Sequence, residues 1–174
     1  LIPYGIWNNR KIANAMQTWF AVDRKAIGAN DDGILVTASH CWKLDSTKAV
    51  FDKRLPSSSS DDTIPRFTFW PRCGSTEWIE VSFPQPRVIK EIQVYWFDDA
   101  FVNLGKCALP AEWKIQHRMF PGLPWEDVKN VKYSTIRNGF STAVLPKAIE
   151  TDTFRIKVKS SPKLSSGILE ARVK

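Results

Sequence analysis

The chain is poor in the residues from which most active sites are made. Its 174 residues include two histidines, His40 and His117, and three cysteines, Cys41, Cys73 and Cys107. No CxxC pair occurs, so a structural zinc site lacks its usual ligands. Three cysteines leave one unpaired in any scheme, and whether Cys73 and Cys107 bond stays open. No Ser–His–Asp set stands in a recognisable frame, which argues against an independent hydrolase. Glu77 with Asp98 is the carboxylate pair to weigh as a glycosidase dyad. Glu77, however, reads more plainly as the opening of a strand.

Charge of one sign is not concentrated either. The net charge is +7, but the basic residues are scattered, as in Arg155, Lys157, Lys159 and Lys163. There is no dense block and no nucleic-acid motif, so no nucleic-acid partner is expected. Alternation of Arg155, Lys157 and Lys159 reads as the solvent face of a strand in preference to a phosphate-binding stripe. No apolar run is long enough to cross a membrane, and no signal peptide is present. Because the chain starts at Leu1 inside an apolar stretch, it reads as a piece of a longer protein.

A helical period is missing as well, and alternation of period two takes its place. Ile79, Val81 and Phe83 oppose Trp78, Glu80 and Ser82. Ile92, Val94 and Trp96 oppose Glu91, Gln93 and Tyr95. Trp113, Ile115, His117 and Met119 oppose Glu112, Lys114, Gln116 and Arg118. Phe154, Ile156 and Val158 oppose Arg155, Lys157 and Lys159. Half-buried strands of this kind, separated by turn pairs such as Pro121–Gly122 and Asn138–Gly139, predict an all-β antiparallel sandwich. His40 falls on an alternating face with Ile34, Val36, Ala38 and Trp42, so core packing is preferred over a ligand pair or dyad with Cys41. His117 likewise reads as a core residue.

Two segments break the alternation. Asn30–Asp31–Asp32–Gly33 is a turn or linker, and it separates a strand pair, Leu1–Trp7 and Ala15–Val22, from the rest. Leu55–Pro71 carries four consecutive serines, two aspartates and three prolines. Long loops of that kind are often functional. Eight tryptophans point to a β-rich core, an aromatic binding surface, or both.

Several of these stretches also look familiar together. Ile64–Pro65–Arg66–Phe67–Thr68–Phe69–Trp70–Pro71, Gly74, Thr76–Glu77–Trp78 and Tyr95–Trp96–Phe97–Asp98–Asp99 come first. Cys107, Leu109–Pro110–Ala111–Glu112–Trp113 and Ser166–Gly167–Ile168–Leu169–Glu170 follow in order. The combination resembles the C-terminal galactose-binding-like, jelly-roll domain of glycoside hydrolase family 127, the β-L-arabinofuranosidase type. Leu1–Ile2–Pro3–Tyr4, Trp7–Asn8–Asn9–Arg10 and Met16 to Trp19 are similar to the strand pair that closes the sandwich before it. The resemblance implies three parts: a leftover strand pair (1–25), a linker with a first strand (26–45) and the galactose-binding-like sandwich (46–174). It also implies a bacterial parent enzyme, periplasmic or extracellular, whose catalysis lies in an upstream barrel. This chain would then be non-catalytic, with that catalytic domain as its partner. Ala171 and Cys73 depart from the family's pattern.

Two sites are expected on this basis. Sugar recognition sets an aromatic face against the apolar face of a sugar ring and frames its hydroxyls with charged groups. Trp70, Arg72, Trp96, Asp98 and Asp99 have that chemistry, and an arabinose- or galactose-containing glycan is the expected partner. Trp96 shares its parity with core residues, and Asp98 and Asp99 also suit a strand end and turn. Trp70, in the proline-bracketed loop, is the exposed aromatic of choice; Trp113 and Trp125 are assigned to the core. The resemblance further implies a structural calcium held by Asp52 and Glu170, since hard oxygen ligands suit that ion. Lys53 stands where the family has glycine. A purely structural domain that buttresses the barrel and binds nothing is the alternative.

Overall fold

The β-branched and aromatic residues of the alternating segments form strands because their side chains fit a pleated, half-buried surface. The computed structural model describes residues 27–30, 32–102 and 104–174. Nine strands follow in chain order: β1 Ile27–Ala29, β2 Leu35–Ala38, β3 Phe67–Thr68, β4 Thr76–Phe97 and β5 Glu112–His117, then β6 Glu126–Asp127, β7 Lys132–Tyr133, β8 Phe140–Lys159 and β9 Gly167–Val173. No α-helix occurs among the described residues, and one 3₁₀ turn spans Thr47–Phe51.

Two long strands build both layers of the sandwich. The first half of β4 and the second half of β8 pair with each other, and β1, β2, β5 and β6 complete that sheet. The second half of β4 pairs with the first half of β8 and with β9, and β3 and β7 flank them. All these pairings are antiparallel. The β4–β8 register breaks between Ser82 and Arg87, where Pro84 and Pro86 supply no backbone donor and let the strand turn from one layer into the other. Between the layers lie Ile79, Val81, Ile92, Val94, Trp96, Trp113, Ile115, Phe154, Ile156 and Val158, in the parity that the alternation predicts.

Four expectations need correction. Tyr95 is buried, not solvent-facing, because Tyr95 and Phe97 pack with Cys107 and Leu169 in a second, smaller cluster on the outer side of β4. The loop after Phe51 closes over that cluster through Ser59, whose carbonyl accepts from Asp98 N at 2.7 Å. Met119 is exposed, since β5 ends at His117. His40 and Trp42 lie past the end of β2, half-buried in the loops beyond the sheet. Trp125 is half-buried on the outer sheet face under Arg118 and Arg155 and lies outside the core clusters.

Residues 27–38 pair into the sandwich itself, and Gly33, at φ 73, lets the chain turn tightly between β1 and β2. The expected strand pair Leu1–Trp7 and Ala15–Val22 lies outside the described residues.

Candidate functional site

The serine-rich loop is held in place by its own side chains. Asp61 accepts from the backbone and hydroxyl of Ser57 and from the backbone and hydroxyl of Thr63, at 2.6–2.9 Å. Those donors favour the ionised form and hold its carboxyl well below the usual range. Ser59 and Asn138 then exchange two hydrogen bonds, at 2.8 and 2.9 Å, and tie the loop to the turn before β8.

Loops gather at the end of the sandwich where β2 stops and β4 and β5 start. Trp42 N donates to Thr68 O, Phe69 N to Ser166 O, Gly74 N to Ser161 O and Ala108 N to Ser165 O. The His40 ring donates from Nε2 to Trp70 O at 2.9 Å. Trp42 and Trp70 are both half-buried there, on neighbouring segments that hydrogen-bond to each other. Lys43 lies over the Trp42 ring at 5.3 Å and Lys106 over the Trp70 ring at 5.1 Å. Arg72 pairs with Glu77 at 3.0 Å, and Ser39 donates a short hydrogen bond to the same carboxylate.

Of the residues expected to meet a sugar, Trp70 and Arg72 stand on this surface. Trp96 does not. It is 0% exposed and packs edge-on against Trp113 with centroids 5.5 Å apart, so its ring is closed to any ligand. Asp98 is 1% exposed and clasps the neck of a loop, accepting from Ala100 N and Leu109 N and pairing with Arg137 at 2.6 Å. Asp99 accepts from Lys106 N at 2.8 Å and Cys107 N at 2.7 Å. Asp98 and Asp99 therefore shape the loop that carries Lys106. His40 enters the sequence reading only as a ligand or dyad partner of Cys41, and alternation assigns it and Trp42 to the core; Lys43 and Lys106 go unnoticed there, because no local motif marks the lysines.

Asp52 and Glu170 do meet. Glu170 is 2% exposed, and its Oε2 has no hydrogen-bond partner among the described residues. Burial, then the hydrogen bond and charge of Asp52, push its carboxyl up to about 8, while backbone donors at Lys53 and Ala171 oppose that shift. Among the described residues no cluster of three or more His, Cys, Asp or Glu side chains is placed for a metal. A hard cation would thus have to complete two carboxylates with backbone carbonyl oxygens. An orphaned buried oxygen beside a second carboxylate fits that demand. Lys53, which stands where the resembled family has glycine, adopts φ 64, the left-handed conformation that glycine favours. Beside it a cleft of about 400 Å³ is lined by Asn30, Asp32, Lys48, Asp52 and Arg54 among others. Cys73 and Cys107 form no disulfide, and burial pushes the Cys107 thiol up.

No protein-family profile matches the sequence, and no curated protein matches it. Solved structures do match. A chain of the Streptococcus pneumoniae β-galactosidase BgaA aligns over 79% of this chain and 89% of its own, at 19% identity and a TM-score of 0.66. The family 32 carbohydrate-binding module of Clostridium perfringens NanJ, solved with galactose, aligns over 80% and 92%, at 12% identity and a TM-score of 0.57. Chitosan-binding module 1 of a Paenibacillus chitosanase/glucanase aligns over 80% and 92%, at 16% identity and a TM-score of 0.55. The fold is the galactose-binding-like jelly roll. Sharing a galactose-binding-like fold at such identities says nothing of which ligand is held, so the ligand must be argued from the loop-end side chains.

Proposed function

We propose that this chain is a non-catalytic carbohydrate-binding module, an accessory domain of a bacterial glycoside hydrolase that acts outside the cytoplasm. The observation that carries the reading is the pair of half-buried tryptophans at the loop end, Trp42 and Trp70, set beside His40 and Arg72. Half-exposed indoles offer a flat apolar face to a sugar ring, and the surrounding donors suit its hydroxyls. Sugar-bound neighbours of the same fold add support, among them the NanJ module with galactose. The resemblance to family 127 suggests an arabinose- or galactose-containing glycan and a catalytic domain upstream in the same chain. Asp52 and Glu170 are proposed to hold a structural calcium away from the sugar surface. Among the described residues no helix is long and apolar enough to cross a membrane.

Trp70→Ala tests the reading. At about 25 cal/mol per Å² of apolar area, returning roughly 55 Å² of stacked surface to water costs about 1.4 kcal/mol, so glycan affinity should fall about tenfold. The melting temperature should barely change. Isothermal titration with arabinan and galactan oligosaccharides reads the first, and calorimetry the second. Unchanged affinity in the variant, or a large loss of stability, would return the domain to the role of a buttress.

A further inference from the structure

The two rings of the loop-end surface do not stand bare. Lys106 Nζ sits over Trp70 and Lys43 Nζ over Trp42, at 5.1 and 5.3 Å from the centroids, and both lysines are exposed. Among the described residues no carboxylate lies within ion-pair distance of Lys106. The acidic groups of this end are turned inward and engaged. The Glu77 side chain, 4% exposed, is held by Arg72 and Ser39. Asp45, also 4% exposed, is held by Arg66 at 3.3 Å and Thr68 at 2.5 Å. Asp98 is locked to Arg137, and Asp99 to two backbone N–H groups. What the surface presents outward is aromatic and cationic.

That arrangement discriminates between ligands. A neutral sugar stacking on Trp70 must displace an ammonium from the π-face and forfeit its attraction. A sugar bearing an anionic group stacks on the same ring and pairs its charge with that ammonium, so the lysine changes from obstacle to partner. We propose that the loop-end surface takes an acidic glycan, whose carboxylate or sulfate is received by Lys106 while its ring stacks on Trp70. This inference rests on the glycan-binding reading above and deepens it.

The experiment compares one sugar backbone with its charge on and off. Hexagalacturonate, its full methyl ester, a sulfated galactan oligosaccharide and a neutral galactan oligosaccharide are titrated into the whole chain at physiological salt. An exposed ion pair is worth up to about fivefold in affinity, so Lys106 should favour the free acid over its ester by about threefold to fivefold. Lys106→Gln should lower the ratio of acid to ester affinity by about threefold to fivefold, whereas Lys106→Arg should keep the preference. Comparison of the carboxylated and sulfated arms then tells which anion is the better fit. Equal binding of acid, ester and neutral galactan would sink the acidic-glycan inference and leave the glycan reading standing. Binding in none of the arms would end both. Acid binding that survives Trp70→Ala and is matched by a DNA oligonucleotide of equal charge would reveal mere attraction of polyanions, and would also overturn it.

Discussion

At the scale of the residue, the tryptophans divide by what surrounds them, not by what they are. Trp70 and Trp42 sit at the loop end under lysines, whereas Trp96 is sealed between the layers against Trp113. Trp78 and Trp125 form a third group on the outer sheet face. Arg155 lies 3.9 Å from one ring and 4.6 Å from the other, and Glu80 neutralises the guanidinium at 2.9 Å. Truncating a sealed ring leaves a cavity that close-packed neighbours fill only in part. Trp96→Ala should therefore cost about 3–5 kcal/mol in urea unfolding. Its folded fraction should bind glycan as the parent does, the reverse of Trp70→Ala. A selective loss of glycan affinity at full stability in Trp96→Ala would mean that the ring reaches the ligand after all.

At the scale of the element, the loop between β4 and β5 sets Lys106 over Trp70. Its neck is closed by Asp98 and Asp99, and its tip carries Phe101 and Leu104, 85% and 86% exposed. Gly105 makes the closure possible, because a Cβ there would lie 1.9 Å from the Asp99 carbonyl oxygen, closer than any real side chain approaches. Gly105→Ala must push the neck apart and move Lys106 off Trp70. The expected outcome is weaker binding of the acidic oligosaccharide by about threefold or more, the same size as the loss of one exposed ion pair. Amide exchange should quicken in residues 98–109 and stay unchanged in β8. Wild-type affinity together with an unaltered exchange pattern would show that the neck does not position the lysine.

At the scale of the whole molecule, the Asp52–Glu170 pair links stability to pH, and the calcium proposed for it would add a second linkage. Glu170 has an ordinary value of 4.5 and is pushed up to about 8 in the fold, so the folded state holds its proton more tightly than the unfolded chain. Stability from this group is complete below pH 4.5 and is lost as pH rises through 8. In chelator, then, the melting temperature should fall across that interval. The proposed calcium would bind the ionised pair, so its stabilising effect should grow over the same interval, reaching about 2.7 kcal/mol at a hundredfold excess over Kd. Melting curves with millimolar calcium and with chelator at pH 5 and pH 8 check both. Curves that coincide at pH 8 would remove calcium from the account.

The sequence by itself determined the layers. Alternation at Ile79–Phe83, Ile92–Trp96 and Phe154–Val158 can be satisfied only by strands with one face buried, and a single-residue slip would turn every core side chain outward. It also brought Trp70 to notice as an aromatic in the proline-bracketed loop, and Asp52 and Glu170 through resemblance. Tertiary structure alone decided the rest. Parity cannot tell where a strand ends, so His40 and Trp42 continued a core pattern that in fact stops at Ala38. Nor can it register a loop arriving from 55–66 to bury Tyr95 from the other side. Lys106 meets Trp70 only after two aspartates fold the chain back across positions distant in sequence. Such meetings depend on side chains brought together by long-range backbone pairing, and no local period or motif encodes them.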